Sequence, residues 1–379
     1  MTSVPPRKPS KLRRFLRSYL GRAAIGLILI GIIQFSLILM TVLPYQREKQ
    51  IAEKIKSVDG EVEWEYRGPN WIPQPVRDRV RLFERIIHIT LSFKKKPSEL
   101  FSDFGTLQSL ESLRLGSKQI TDTELDRLKG LTRLQDLGIA GTQITDAGLE
   151  KIKGLTNLRR LSLKATAVSD VGLKHLKGLT KLEDLNLVGT HVTDAGVEHL
   201  NGLLSLRNLS LGYTQITDAG LEHIKGLKNL QSLGINNTRI TDNGLEYLKH
   251  LTNLESLHLD NMQTTAEKKE LLKKLMGVPE VHFTHITDKG LGHLKGLTKL
   301  NALSLDNTQV SDVGLEHLTG MMNLNSLNLF GTYTTDVGLD FLKQMTSLKE
   351  LNLFNTQTTE EGRLKLRKVL PGCQIEPNP

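Results

Sequence analysis

Residues 131–154 read LTRLQDLGIAGTQITDAGLEKIKG, residues 179–202 read LTKLEDLNLVGTHVTDAGVEHLNG, and residues 297–320 read LTKLNALSLDNTQVSDVGLEHLTG. A 24-residue period relates them, and numbering each unit from 1 puts apolar residues at positions 1, 4, 7, 9, 14, 19 and 22. Units begin at Leu107, Leu131, Leu155, Leu179, Leu203, Leu227, Leu251, Lys273, Leu297, Met321 and Met345. A degenerate unit from Phe83 to Thr106 brings the total to twelve. Such a unit cannot bury its own apolar stripe, so neighbours must stack into one continuous core.

Each position has a mechanical meaning. Positions 7 and 9 alternate with polar residues, as in Leu161-Ser162-Leu163, the pattern of a short strand with one buried face. Position 12 is threonine in most units, where a hydroxyl can satisfy backbone groups as the chain leaves the strand. Position 16 is aspartate (Asp122, Asp146, Asp170, Asp194, Asp218, Asp242, Asp288, Asp312, Asp336) just before Gly-Leu, which predicts helix N-caps. A short helix over positions 17 to 23 should follow on the outer side. The expected fold is an α/β solenoid, a curved parallel sheet inside and short helices outside, preceded by one transmembrane helix.

These motifs resemble the leucine-rich-repeat family, in particular the T-D-x-G-L subtype of F-box-associated, cysteine-containing-like repeats and of bacterial, planctomycete-type membrane-anchored proteins. The resemblance covers about residues 83–368 and implies protein recognition on a concave or lateral surface, without naming the partner. Leu370-Pro371-Gly372-Cys373-Gln374-Ile375 resembles the closing turn of the bacterial group, so residues 369–379 read as a C-terminal cap.

The repeat falters once. In the unit at Leu251, two residues short, Met262 replaces threonine, Ala266 replaces aspartate, and Glu267-Lys268-Lys269-Glu270 replaces the Gly-Leu start. Pro279 then stands at position 7 of the unit at Lys273, with Val281 at position 9 and Thr284 at position 12. This is either a kink reshaping the binding surface or an old cap between two fused arrays, and the echo of the C-terminal tail in Leu275–Val281 favours fusion.

The net charge of +9 does not belong to the repeats. Residues 1–22 hold seven basic side chains and no acid, so the remainder is nearly balanced, which argues against a phosphate-binding groove and against nucleic acid. Residues 23–43 carry no formal charge and, at about 1.5 Å per residue, match the roughly 30 Å bilayer core. The basic flank places residues 1–22 in the cytoplasm and the repeats beyond the membrane, periplasmic or extracytoplasmic. A cleaved signal peptide competes, but its apolar core is shorter and ends in a small-x-small site. Residues 44–82 read as linker and N-terminal cap: a charged helix over 46–57, then a strand in which Val62, Trp64 and Tyr66 alternate with Glu61, Glu63 and Glu65.

No catalytic, cofactor or metal constellation emerges. His175, His199, His223, His293 and His317 share position 21, but neighbouring helices hold equivalent positions about 8 to 10 Å apart, too far for one zinc ion. The lone Cys373 reads as a small buried hydrophobe. Binding is expected where units differ. Asn328, Phe330, Tyr333, Asn352 and Phe354 form one candidate patch, with Phe330 and Phe354 either exposed as hot-spot aromatics or tucked under the loops. Arg160 and Lys164 form a second. The expectation is a non-catalytic, membrane-anchored protein-binding scaffold. The alternative is an F-box-like substrate adaptor of a ubiquitin-ligase-type complex, which would need a helical docking module within residues 44–82.

Overall fold

The computed structural model describes residues 28–36, 38–77, 81–93, 100–262, 266–276 and 280–378. The basic tail over 1–22 and the first part of the expected span lie outside them, as does Pro279. The chain divides into two compact units, one comprising residues up to Lys54 with Trp64–Ile86, the other Ile55–Glu63 with Ile87–Pro379.

Among the described residues thirteen strands are present, and from β2 to β13 each pairs with the next in parallel. In chain order these are β1 (Glu61–Tyr66), β2 (Glu84–Leu91), β3 (Ser112–Leu115), β4 (Asp136–Gly138), β5 (Arg160–Ser162), β6 (Asp184–Asn186), β7 (Asn208–Ser210), β8 (Ser232–Gly234), β9 (Ser256–His258), β10 (Ala302–Ser304), β11 (Ser326–Asn328), β12 (Glu350–Asn352) and β13 (Gln374–Glu376). They form a single 13-stranded sheet in sequential order. Register follows the repeat: Leu113, Leu137, Leu161, Leu185, Leu209 and Leu233 lie directly opposite one another from strand to strand. A short helical segment follows each strand from β3 to β12, and the fold is a leucine-rich-repeat solenoid.

The core is the apolar set read from the sequence. In the coil at Leu107, Leu107, Leu110, Leu113, Leu115, Ile120, Leu125 and Leu128 are all at most 2 % exposed. Each such side chain removed from water contributes about 1.5–3 kcal/mol. The position-12 threonines are buried as well, and their hydroxyls donate to the position-9 carbonyl, as Thr142 does to Ile139 at 2.6 Å and Thr190 to Leu187 at 2.7 Å. Position 11, just before, is left-handed in most coils and carries Gly141, Gly189, Asn237, Asn307, Gly331 and Asn355. Ala165 (φ 53°) and Tyr213 (φ 55°) occupy the same conformation without the freedom of glycine or the tolerance of asparagine.

The aspartates do not cap their own helices. Where a cap is formed it belongs to the residue before, so Thr145, Ser169 and Thr217 accept from the backbone N–H two residues on, and Asp146, Asp170 and Asp218 are the first helical residues. Asp194, Asp288, Asp312 and Asp336 are likewise first helical residues, whereas the segment after Asp242 begins at Gly244; the carboxylates of all five, like that of Asp122, reach the following coil. Asp194 shows the pattern: Oδ1 accepts from the Thr217 N–H at 2.8 Å and Oδ2 from the Thr217 hydroxyl at 2.7 Å. The glycine at position 18 of the coils after that at Leu107 then has a clear cause. A Cβ built on Gly220 would stand 2.5 Å from Asp194 Oδ1.

Twelve units is also corrected. β9 pairs directly with β10, Leu257 opposite Leu303, so the residues assigned to a unit at Lys273 add no strand. One coil instead runs from Leu251 to Gly296 and carries a 22-residue insertion, Met262 to Phe283. Asn261 closes the gap, its side chain accepting from the Thr284 N–H at 2.6 Å and donating to the Thr284 carbonyl at 2.7 Å. Thr284, Asp288 and Gly290-Leu291 are the coil's own motif residues, and Thr287 makes the expected bonds to Asp242 at 2.6 and 2.8 Å. Neither a kink nor a fused cap is needed. The insertion carries a helix, Ala266–Met276, and packs Val281 and Leu272 against Tyr213 and Val188 at the turns of the preceding coils.

In the first unit, a helix runs from Ile28 to Lys56, long and apolar enough to cross a bilayer. The separate charged helix expected over 46–57 is its continuation. Ile38–Val42 is π-helical and ends two residues before Pro44, which has no N–H and whose ring crowds the carbonyl four residues back. That carbonyl, on Met40, and its neighbour on Thr41 face Arg85 Nη2 at 3.4 and 3.5 Å.

Two outcomes test this account. Gly220→Ala should lower unfolding free energy by about 1–3 kcal/mol, and in an Asp194→Ala background the added loss should fall below about 0.5 kcal/mol, since the colliding oxygen is gone. Urea titration of the double-mutant cycle reads this, and additivity would refute the steric coupling. Deleting residues 262–283 joins Asn261 to Thr284 as LDNTHITDKGL; circular dichroism should show an intact fold, with a loss of no more than about 2 kcal/mol for the apolar contacts removed.

Candidate functional site

With the core, the turns and the inter-coil bridges fixed, positions 6, 8 and 10 on the open face of the sheet are free to vary. A cavity of about 620 Å³ lies across β2 to β7 and is lined in part by Gly116, Gly138, Ala140 and Ser162. Small residues make the hollow, because neighbouring coils stand only about 4.8 Å apart and any long side chain would fill it.

Three charged residues adjoin on this floor, Asp136 directly opposite Arg160 on one neighbouring strand and diagonal to Arg114 on the other. Asp136 Oδ2 accepts from Arg114 Nη2 at 3.0 Å and from Arg160 Nε at 3.1 Å. The carboxylate is 9 % exposed whereas the guanidiniums are 62 % and 56 % exposed. The trio therefore carries net positive charge, and the outward donors of both arginines can meet a carboxylate or phosphate. Asp184 and Asn208 form the next hydrogen-bonded pair along the same floor. Beside the sheet edge, Glu111, Arg133, Gln135, Asn157, Arg159 and Lys181 line a polar hollow of about 310 Å³.

Arg160, one of the residues expected to bind, is thus in the cavity. Lys164 is exposed but does not line it. Arg114 and Asp136 went unread in the sequence, although a readable signal existed: opposite charges at position 8 of one unit and position 6 of the next.

The C-terminal candidate is only partly assembled. Asn328 and Asn352 are opposite one another on β11 and β12, and each amide oxygen accepts the N–H two residues on, from Phe330 at 3.2 Å and Phe354 at 3.0 Å. Asn328, Asn352 and Phe354 line a hollow of about 290 Å³ with Glu350, Gln374 and Glu376. Phe354 is exposed, Phe330 is half-buried, and Tyr333, though exposed, sits past the turn, in a β-bridge with Ser311.

Between the two hollows, Asp260 and Asp306 occupy position 10 of adjacent coils, where the insertion departs. Burial, and then the charge of Asp260, push the Asp306 carboxyl up to about 6. Burial also raises Asp260. At the end of the sheet, the buried Cys373 thiol is pushed up to about 11, mainly by desolvation, which makes it a poor nucleophile. Among the described residues, no three His, Cys, Asp or Glu side chains converge as a metal-ligand set.

The arrangement defines a leucine-rich-repeat solenoid with a hollowed open face. The leucine-rich-repeat family profile matches residues 178–200 and 203–224. Solved structures similar to the chain include an internalin, InlF, from Listeria monocytogenes, at 21 % identity over 80 % of this chain and 92 % of that one, TM-score 0.48. Internalin C2 from the same organism is similar at 23 % identity over 68 % and 84 %, TM-score 0.39. No curated protein matches the sequence.

The raised acid at 306 has a consequence for stability. An acid whose folded-state pKa is raised keeps its proton in the folded state while the unfolded chain has already lost it, so stability falls as pH rises from about 3.8 to about 6. Asp306→Asn should flatten that part of the pH–stability curve and raise the urea midpoint at pH 7 above wild type. An unchanged curve would show that the site is open to water.

Proposed function

We propose that the chain is a membrane-anchored, non-catalytic binding protein whose leucine-rich repeats hold an extended segment of another protein on the open face of the sheet. The observation that carries this reading is the cavity across β2 to β7, where Arg114 and Arg160 present unused guanidinium donors above a floor of small residues. An extended peptide fits such a surface because its backbone can lie over glycine and alanine while an acidic side chain meets the arginines. Phe354 at the C-terminal hollow supplies an aromatic contact for the same or a second segment, with Asn328, Asn352 and half-buried Phe330 around it.

In this reading the apolar helix is retained as an anchor of the T-D-x-G-L, membrane-bound type, with residues 1–22 cytoplasmic and the repeats extracytoplasmic, as the seven basic charges before it favour. The described residues of 44–82 supply the end of that helix, β1 and a four-residue turn of helix at Gln74–Arg77, and no helical docking module of the kind the adaptor alternative needs is found among them.

Protease added to sealed vesicles of known sidedness should digest the repeats only from the extracytoplasmic side; digestion from the cytoplasmic side alone would overturn the topology. For binding, a photocrosslinker placed at Ser162, on the cavity floor, should capture one discrete partner in native membranes. Arg114→Ala with Arg160→Ala should reduce that capture about ten-fold or more, two charge-assisted contacts being lost. Equal capture from a crosslinker at Lys153 on the helical side, or no effect of the double substitution, would refute the assignment of the face.

A further inference from the structure

Within the first unit, one loop is held against the end of the apolar helix and turns a bare tryptophan outward. Three links connect it. Arg81–Phe83 packs beside the π-helical segment Ile38–Val42, and Arg85 reaches the Met40 and Thr41 carbonyls while pairing with buried Glu48 at 3.8 Å. Phe83 meets the Tyr66 ring edge-on, centroids 6.0 Å apart, and its carbonyl accepts the Arg67 N–H at 2.9 Å. Tyr66 in turn donates its hydroxyl to the Pro69 carbonyl at 3.0 Å and carries the Arg77 guanidinium 4.6 Å above its ring.

The loop so fixed, Gly68 to Arg77, is Gly-Pro-Asn-Trp-Ile-Pro-Gln-Pro-Val-Arg. Trp71 is 81 % exposed and Val76 47 %, although the rest of the loop is tied down. Arg77 donates to the Asn70 and Ile72 carbonyls. The Ile72, Val76 and Arg77 N–H groups are bonded within the loop, and Pro69, Pro73 and Pro75 have none, so few backbone donors remain to be desolvated. An ordered loop that presents an indole to water exposes apolar surface which its own packing could have hidden. Its place explains this. The uncharged run ends at Gln46, with Arg47 the first charge beyond it, so Met40 and Thr41, to which the loop is tied, lie within about 10 Å of that charged end along the helix axis.

We propose that the Gly68–Arg77 loop is a second membrane contact, which seats Trp71 and Val76 in the headgroup region of the leaflet from which the apolar helix emerges. Indole rings partition to that region, where one end of the ring is wet and the other dry. Arg77 brings positive charge toward lipid phosphates, and Arg81, exposed beside the loop, is paired with Glu84 at 3.7 Å. A helix alone can tilt and rotate in the bilayer; a second contact, fixed to it through Arg85 and Tyr66, restrains both motions for the first unit.

The proposal rests on the helix being a retained anchor, and the two can fail separately. Trp64 and Trp71 are the only tryptophans, so Trp64→Phe and Trp71→Phe variants of the full chain, reconstituted in phosphatidylcholine–phosphatidylglycerol nanodiscs, each report one site. With Trp71 alone, lipids brominated near the headgroup end of the acyl chains should quench emission about two-fold and shift it to the blue; with Trp64 alone the quenching should be weaker. Alkaline carbonate extraction of native membranes reads the anchor independently. Retention in the membrane with Trp71 unquenched overturns the proposal and leaves the anchor standing. Release by carbonate overturns the anchor reading and the proposal with it. Protection of Trp71 from aqueous iodide by a soluble protein, without lipid quenching, would assign the loop to a protein partner and also overturn it.

Discussion

The aspartate at position 16 sets the pitch of the whole solenoid, because its two oxygens belong energetically to the coil that follows. Oδ1 takes the backbone N–H and Oδ2 the hydroxyl of the next coil's position-15 residue, as in Asp146 with Ser169 at 2.8 and 2.6 Å and Asp312 with Thr335 at 2.8 and 2.6 Å. These are charge-assisted bonds, shorter and stronger than neutral ones. The carboxylate also lies at the first turn of a helix, where the dipole favours negative charge. The serine or threonine that donates to it accepts, in several coils, the N–H of its own helix, as Thr217 does from Ala219 at 3.3 Å. Helix start and neighbouring coil are thus joined through one hydroxyl. The contact also dictates the glycine at position 18, since the oxygen fills the space a Cβ would take.

The first clear coil shows the dependence from the other side. Its position 18 is Glu124, not glycine, and Glu124 accepts from the Thr121 N–H at 2.8 Å and from the Thr121 hydroxyl at 3.0 Å. The glutamate of the same helix here supplies what elsewhere comes from an aspartate one coil earlier. The bridge thus has a local substitute, and glycine is absent where the substitute is used. On the sheet side, threonine at position 12 and the left-handed residue before it return the chain toward the helix at each step. Packing, bridge and turn leave positions 6, 8 and 10 as the places where one coil can differ from the next without loss of fold.

That division explains what could be read from the residues and what could not. The leucine phases, the strands and the buried threonines repeat every 24 residues, so one coil's reading is checked by the next. The function of the aspartate was misassigned because a carboxylate before Gly-Leu has two good acceptor roles, one local and one 23 residues away, and composition does not separate them. The stretch from Leu251 to Gly296 was ambiguous for an arithmetical reason: 46 residues are two slightly short units or one unit with 22 residues added. Proline at a strand position, which cannot donate to a ladder, argued for the second. In the Arg114–Asp136–Arg160 trio, Asp136 and Arg160 share position 6 of adjacent coils while Arg114 reaches Asp136 diagonally from position 8 of the coil before, so the trio joins two different positions of the repeat. The join between Arg85 and the carbonyls exposed by Pro44 links residues 45 apart with no repeat to align them.

The insertion occurs where the coil could accept it. Asn261 and Thr284 hold their ends together through two hydrogen bonds, so the coil closes as if the intervening residues were absent, and a closed loop of this length adds little further entropic cost. Its attachment falls on the turns rather than on the sheet. Tyr213, in a left-handed conformation that costs a bulky residue about 1–2 kcal/mol, packs against Val281 and Leu272, and its hydroxyl lies 3.7 Å from Met262 Sδ. Arg239 adds an ion pair to Glu280 at 3.2 Å. Strain of this size persists only where surrounding contacts hold it, and here those contacts are the insertion itself. The added residues therefore consolidate the turn side of the coils at Leu179, Leu203 and Leu227. The cavity between Arg114 and Asn208 is lined without them and stays available to a ligand.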